Sequence, residues 1–416
     1  MGKLLLFLFT TFIALHIQAQ KNCSSSEYME KEFGRDISLR NKIGEIETFT
    51  TKAIANHSAN QRTSSVPQII LIPVVFHVIY HTPEENISAQ RLIDQLNILN
   101  SDFRRKNTDT TNTPQAFVPY AADMQIEFQL AKSDPSGKGT DGIVRKYSPV
   151  KYWESDDKVK FNTSYGENAW DAGSYLNIWV CNLRDAMGYS TLPGTDLAKD
   201  GIVISYTDIT NKEFKQINQG RTLVHEVGHW LNLNHLWGNA YCGNDFVDDT
   251  PQQSTYTPGC PTGIRRTCGN NQSGDMYMNY MDFTDDACMN LFTKGQKQRA
   301  RALFEPGGYR NSILSTKAFI NSSPANAAQL PDFYPKWLEA QVYPNPATNN
   351  LNIYLEYDER WKGKEIVIMD MTGKVMMKKT ITAAIQQIDV SKLAAGIYFI
   401  RAEKENEKLL KKFVKL

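Results

Sequence analysis

The run His225-Glu226-Val227-Gly228-His229 sets two imidazoles four positions apart with a carboxylate beside the first. On a helix those positions share a face, so both rings point the same way. Two neutral imidazole nitrogens about one turn apart can hold one Zn²⁺. Glu226 is placed to take a proton from a water polarised by the ion, without binding the ion itself. A third imidazole, His235, lies six residues beyond His229. A straight helix would turn it onto another face, so the helix must break and the chain must turn near Asn232. Such a turn needs φ > 0, which Asn tolerates best among residues that carry a Cβ. Three histidines leave one position of a tetrahedral ion open, whereas structural zinc closes with four protein ligands. The chemistry indicated is hydrolysis by an activated water. The competing reading is a non-enzymatic surface adhesin with a structural zinc, in which Glu226 has no use.

The elements that hold these groups point to an α+β fold. Thr222–Leu231 reads as the helix that carries the motif. Upstream, IILIPVVFHVIY is β-branched and aromatic, and Pro73 suggests an edge or bulged strand. Leu92, Leu96, Leu99 and Phe103 recur at helical spacing behind Ser88, a candidate N-cap. Met124, Ile126, Phe128 and Leu130 alternate as in a half-buried strand. YLNIWVCNL and GIVISY are further strands, and GIVISY is the candidate edge on which a substrate adds as an antiparallel strand. Thr293 and Gln296 form a capping-box pattern ahead of a last helix.

The termini read differently from this centre. Lys3 precedes an apolar run of roughly 14 residues, which fits a signal peptide over residues 1–19 and is short for a membrane span. Residues 20–65 are polar and read as a prosegment, with a disordered tail as the rival. The catalytic domain is placed at 66–318, a linker at 319–338 and a second domain at 339–416. The last has many short strand patterns with turn signals, which suggests a small Ig-like β-sandwich. A formal net charge of +1 argues against a nucleic acid or an anionic membrane as partner, and a monomer is expected.

HEVGHWLNLNHLWG, CGNDFVDDTPQQ and GDMYMNYMDFTDDACMNLFTKGQ resemble the pappalysin family of metzincin peptidases, in order over about residues 66–318 and most densely over 221–299. The resemblance implies a metzincin-like, two-lobed catalytic domain with a horizontal cleft. It implies His225, His229 and His235 as zinc ligands, Glu226 as general base and Met281 as the Met-turn floor beneath them. Protein or peptide substrates follow. Relatives often place a Tyr two residues after that Met, to bond the transition-state oxyanion, but this chain has Phe283, so that role is not carried over. Cys242, Cys260, Cys268 and Cys288 read by themselves as two disulfides with three open pairings. The resemblance selects Cys242–Cys268 and Cys260–Cys288. Asp245, Asp248, Asp249 and Thr250 are oxygen ligands suited to Ca²⁺, which relatives bind in this region, and solvated loop carboxylates are the alternative.

Cys23 offers a thiolate that could occupy the zinc in a latent form, as in the cysteine switch of relatives. An acylated lipoprotein cysteine and a Cys23–Cys181 disulfide are the rivals, with Cys181 otherwise a buried free thiol. NHSANQRTSS lacks strand or helix pattern, which places activation cleavage near Gln61 and Arg62. At the other end, VYPNPATNNLNI, DMTGKVM and GIYFIRAEKENEKLLKKFVKL resemble the sorting domain of type IX secretion substrates. This implies a secreted or cell-surface protein exported by the outer-membrane machinery. A carbohydrate- or protein-binding β-module is the alternative.

Overall fold

The computed structural model describes residues 23–60, 66, 68–210, 219–270, 273–320, 340–355, 363–383, 385–404 and 407–416. The signal peptide, Gln61, Arg62 and most of the expected linker therefore lie outside the described residues. None of the described helices is long and apolar enough to cross a membrane.

The centre is a mixed six-stranded sheet. Its strands are β1 (Ile70–Tyr80), β3 (Ile126–Leu130), β4 (Ile143–Tyr147), β5 (Leu176–Cys181), β6 (Gly188–Ser190) and β7 (Ile202–Ser205). The order is β3-β1-β5-β7-β6, with β4 also paired to β1. β2 (Ala121–Ala122) pairs separately with β8 (Phe292–Thr293). β1 is parallel to β3, β4 and β5, while β6 is antiparallel to β7.

Two edge expectations are corrected. β1 is internal despite Pro73. The Ile70 N–H and the Val74 carbonyl serve the β3 side, so Pro73 turns its missing donor to the other side, where pairing with β5 begins only at Val74. GIVISY contains β7, which is internal too, and the edge is the three-residue β6.

One sheet face packs on two helices. Ser88 caps α3 (Ala89–Phe103) by accepting from the Arg91 N–H at 3.2 Å. The Leu92, Leu96, Leu99 and Phe103 face of α3 joins Leu223, Val224, Val227 and Trp230 of α4 (Arg221–Trp230) over Ile70, Ile72, Val74, Phe76 and Val78. Thr293 and Gln296 make the reciprocal capping box of α5 (Lys294–Ala302).

The polar segment after Cys23 is helical, as α1 (Ser25–Arg35) and α2 (Ile37–Asn60). α2 includes Asn56–Asn60, which had no helix pattern. Tyr28, Met29 and Leu39 pack against Ile79, Trp179, Cys181 and Val203 on the other sheet face.

The C-terminal strands form two antiparallel sheets. One runs β13 (Ile385–Asp389), β10 (Asn350–Leu355), β9 (Ala340–Tyr343). The other runs β12 (Val375–Thr380), β11 (Glu365–Asp370), β14 (Gly396–Lys404), β15 (Glu407–Lys415). Leu351, Ile353 and Ile388 of the first share one buried cluster with Ile366, Ile368, Ile400 and Phe413 of the second.

Candidate active site

α4 brings His225 and His229 to one face, and Asn232 ends it with φ 69°, the left-handed turn expected there. The Leu233 N–H returns to the Gly228 carbonyl at 2.9 Å, and the turned chain delivers His235 to the same point. The three Nε2 atoms lie 3.0, 3.1 and 3.2 Å apart.

Each Nδ1 has an acceptor of its own. His225 Nδ1 donates to the Tyr280 carbonyl at 2.7 Å, His229 Nδ1 to the Leu233 carbonyl at 2.9 Å and His235 Nδ1 to Asn239 Oδ1 at 2.8 Å. Those bonds fix the tautomers and leave three Nε2 lone pairs facing one another. Burial holds the His229 ring down to about 4 and the other two well below their ordinary value, so all three are neutral. Neutral lone pairs crowded this closely repel unless a cation lies between them. The donor set and its spacing fit zinc, with bonds of about 2.0–2.1 Å.

Met281 is fully buried against α4. A Cβ on Gly228 would collide with the Met281 sulfur, so glycine inside HEVGH is what lets Met281 approach the helix. The turn is held by Asn279, whose Oδ1 accepts from the Met281 N–H at 2.9 Å. Phe283 stands 4.8 Å from the His235 ring and 5.4 Å from His225, in a wall with Trp237 and Tyr256.

Cys23 completes the cluster. Its sulfur and the three histidine nitrogens all lie within 4.8 Å of one another. The thiol accepts from the Ser25 N–H at 3.3 Å. Burial, and then the charge of Glu226, push this thiol well above its ordinary value, so a thiolate here needs a cation beside it. Cys181 is a separate buried free thiol, and no Cys23–Cys181 bond exists.

Glu226 is fully buried, and burial pushes its carboxyl up to about 7 against the lowering contacts of Cys23 and Ser25. The Ser25 hydroxyl donates to Glu226 Oε2 at 2.8 Å and accepts from the Ser190 N–H at 2.8 Å. Glu226 Oε1 has no protein partner. The Ser26 hydroxyl donates to Asn239 Oδ1 at 2.7 Å. Ser25, Ser26, Asn239 and Ser190 were not picked out from the sequence, and the run Ser24-Ser25-Ser26 directly after Cys23 was the signal available.

The cysteine cluster is bonded as Cys242–Cys268 and Cys260–Cys288. Of the residues expected to bind calcium, Asp245 and Thr250 meet and Asp248 is exposed: the Thr250 hydroxyl donates to Asp245 Oδ2 at 2.7 Å, and the Val247 N–H donates to Asp245 Oδ1 at 3.1 Å. Asp249 instead accepts from Thr293 and the Gly295 N–H, at 2.6 and 2.9 Å. Among the described residues, the convergent group of His, Cys, Asp or Glu is Cys23 with the three histidines.

Comparison with known proteins agrees with this geometry. Residues 160–305 match the family described as Pregnancy-associated plasma protein-A, and residues 341–416 match the secretion system C-terminal sorting domain. An extracellular metalloprotease of Sordaria macrospora is 30% identical over 270 residues, 61% of this chain and 82% of that protein. One from Colletotrichum graminicola is 38% identical over 247 residues, 52% of this chain and 85% of that protein. The solved structure of Tannerella forsythia mature mirolysin in complex with a cleaved peptide superposes with a TM-score of 0.58 at 45% identity, over 60% of this chain and 97% of that one. A promirolysin mutant from the same organism gives a TM-score of 0.64 at 41% identity, over 71% and 97%. The chain belongs to the pappalysin family of metzincins, as a secreted zinc metalloendopeptidase that ends in a type IX sorting tail.

Proposed function

We propose that the protein is made as a latent proenzyme whose prosegment, residues 20–65, blocks a peptidase domain at 66–318, followed by a linker and an Ig-like sorting sandwich at 339–416. The observation that carries this reading is the meeting of Cys23 with three tautomer-fixed histidines beside a buried Glu226. His225, His229 and His235 would hold the zinc. Zinc, when bound, supplies the Lewis acid that polarises water and the scissile carbonyl. Glu226 accepts the proton of the attacking water and passes it to the leaving amine nitrogen. Met281 keeps the floor dry and apolar. In the latent form Cys23 would take the ligand position that the three histidines leave, and Ser25 occupies Glu226. Cleavage near Gln61–Arg62 removes both. Calcium near Asp245 rests on resemblance alone.

The test is Glu226→Gln in the mature enzyme. Zinc content by metal analysis should stay at one per chain while kcat/KM on a peptide falls by about three orders of magnitude or more. Chelation of the wild type should abolish turnover and zinc should restore it. Near-wild-type turnover in the variant would remove Glu226 from the mechanism. Absence of chelator-sensitive proteolysis would favour the adhesin.

A further inference from the structure

Tyr28 fills a socket that residues beyond the prosegment close around its ring and hydroxyl. Its side chain is 1% exposed. The hydroxyl donates to Asp157 Oδ2 at 2.7 Å. The ring lies 4.8 Å from that of Tyr189, and Lys160 Nζ stands 5.4 Å over it. Lys160 Nζ is held 2.9 Å from Asp157 and 2.8 Å from the Lys199 carbonyl. Asp157 also accepts from the Tyr189 hydroxyl at 3.3 Å. Once the prosegment is gone, Asp157 keeps these partners and loses the Tyr28 hydroxyl. What remains is an aromatic recess with a preset carboxylate at its end.

The position of the recess follows from strand direction. Cys23 pairs parallel with Gly188 on the edge strand β6, and the Ser24 N–H donates to the Gly188 carbonyl at 3.0 Å. Ser25 is next, at Ser190. A substrate added antiparallel to β6, with its scissile bond at the histidines beside Gly188, lays its N-terminal side toward Ser190. That is the direction in which the prosegment goes on to Tyr28. Tyr28 is three helical residues, about 4.5 Å of rise, past Ser25, and an extended chain advances about 3.3 Å per residue. The recess is thus in reach of the second to fourth substrate residue before the scissile bond.

We propose that the recess of Asp157, Lys160 and Tyr189 is a substrate subsite on the N-terminal side of the scissile bond, selective for tyrosine through its ring and its hydroxyl donor. It rests on the reading that the prosegment leaves a zinc peptidase behind. The prosegment occupies it as a reversed mimic, held there without presenting its peptide bonds in the cleavable direction.

The test uses the mature zinc-loaded enzyme and peptides of one scissile sequence, with Tyr, Phe, O-methyltyrosine or Ala at each of the second to fourth upstream positions. At one of these, Tyr should raise kcat/KM about tenfold over Ala, with Phe and O-methyltyrosine well below Tyr, because one hydrogen bond to a carboxylate separates them. Asp157→Asn should bring the Tyr-to-Phe ratio close to one. That variant leaves buried Lys160 without its charge partner and can misfold, so the O-methyltyrosine series decides independently. No upstream Tyr preference while the Ala peptides are turned over would overturn the subsite. So would a preference that survives methylation. If no peptide of the series is cut in a chelator-sensitive way, the peptidase reading fails and takes the subsite with it.

Discussion

The N-terminal helices α1 and α2, the proposed prosegment, and the C-terminal sheets both stand outside the peptidase core, yet they are stabilised in opposite ways. Tyr28, Met29 and Leu39 have no cluster of their own and are buried among Ile79, Trp179, Cys181 and Val203 of the peptidase. Their polar contacts also cross over. Glu47 receives both terminal nitrogens of buried Arg299, one at 2.7 Å, and Arg299 Nε holds the Asn232 carbonyl at the metal-motif turn. The buried residues of the C-terminal sheets, from Ala347 to Phe413, form a cluster that contains only themselves. A segment whose burial is borrowed can be released by one cut. A segment with its own core can be carried along, as an address for export requires.

The sharpest way to break that comparison is to separate the parts. Residues 339–416 expressed alone should give a β-sheet circular dichroism spectrum and a single cooperative melt. A peptide of residues 20–60 should show little helix in buffer, since most helical stability in proteins comes from tertiary packing of one face, and here that packing is against the peptidase. A folded prosegment peptide would mean that its burial is not borrowed.

How much of this was legible in the sequence depends on whether a signal was local. The meeting of the three motif histidines, the Asn232 turn, the Ser88 and Thr293 caps and the paired cysteines are set by spacings of a few residues or by a distinctive motif, and the structure places each of them as read. The edge of the sheet was misread. Gly188-Tyr189-Ser190 has none of the β-branched pattern that marked GIVISY, and edge position is decided by which distant strand fails to pair. The prosegment helices were missed because their apolar side chains are sparse. Ile43 and Ile46 are three apart on α2, but their partners lie far along the chain. The calcium reading came from an acidic loop that reveals its charges and not its donors: in the structure Asp245 accepts from Val247 and Thr250, and Asp249 from Thr293 and Gly295.

The next prediction concerns the metal end of the borrowed segment. Cys23→Ala leaves α1 and α2 with all their packing and removes only the sulfur from the cluster. The proform of this variant should hydrolyse a small peptide before any cleavage, at about tenfold or more above the wild-type proform, because the open ligand position is no longer filled. Activity of intact proform, verified by mass spectrometry, measures it. Equal latency in the two proteins would assign the block to the bulk of the helices alone.

The smallest expected effect belongs to Ser25. Its hydroxyl sits between two groups that a working site needs free, donating to Glu226 Oε2 and accepting from the Ser190 N–H, both at 2.8 Å. Ser25→Ala deletes both bonds and leaves the sulfur in place. A hydrogen bond to a charged group contributes about 1.5–3 kcal/mol, but water that enters the gap recovers part of it. The net loosening should be near 1 kcal/mol, which is about a fivefold faster conversion of proform to mature enzyme. Gel densitometry of prosegment cleavage over time reads this rate. The double variant with Cys23→Ala then asks whether the two residues act as one latch. They flank a single site within one turn of chain, so their effects should fall short of additive by more than about 0.5 kcal/mol. Full additivity would mean that Ser25 stabilises the start of α1 and does nothing at Glu226.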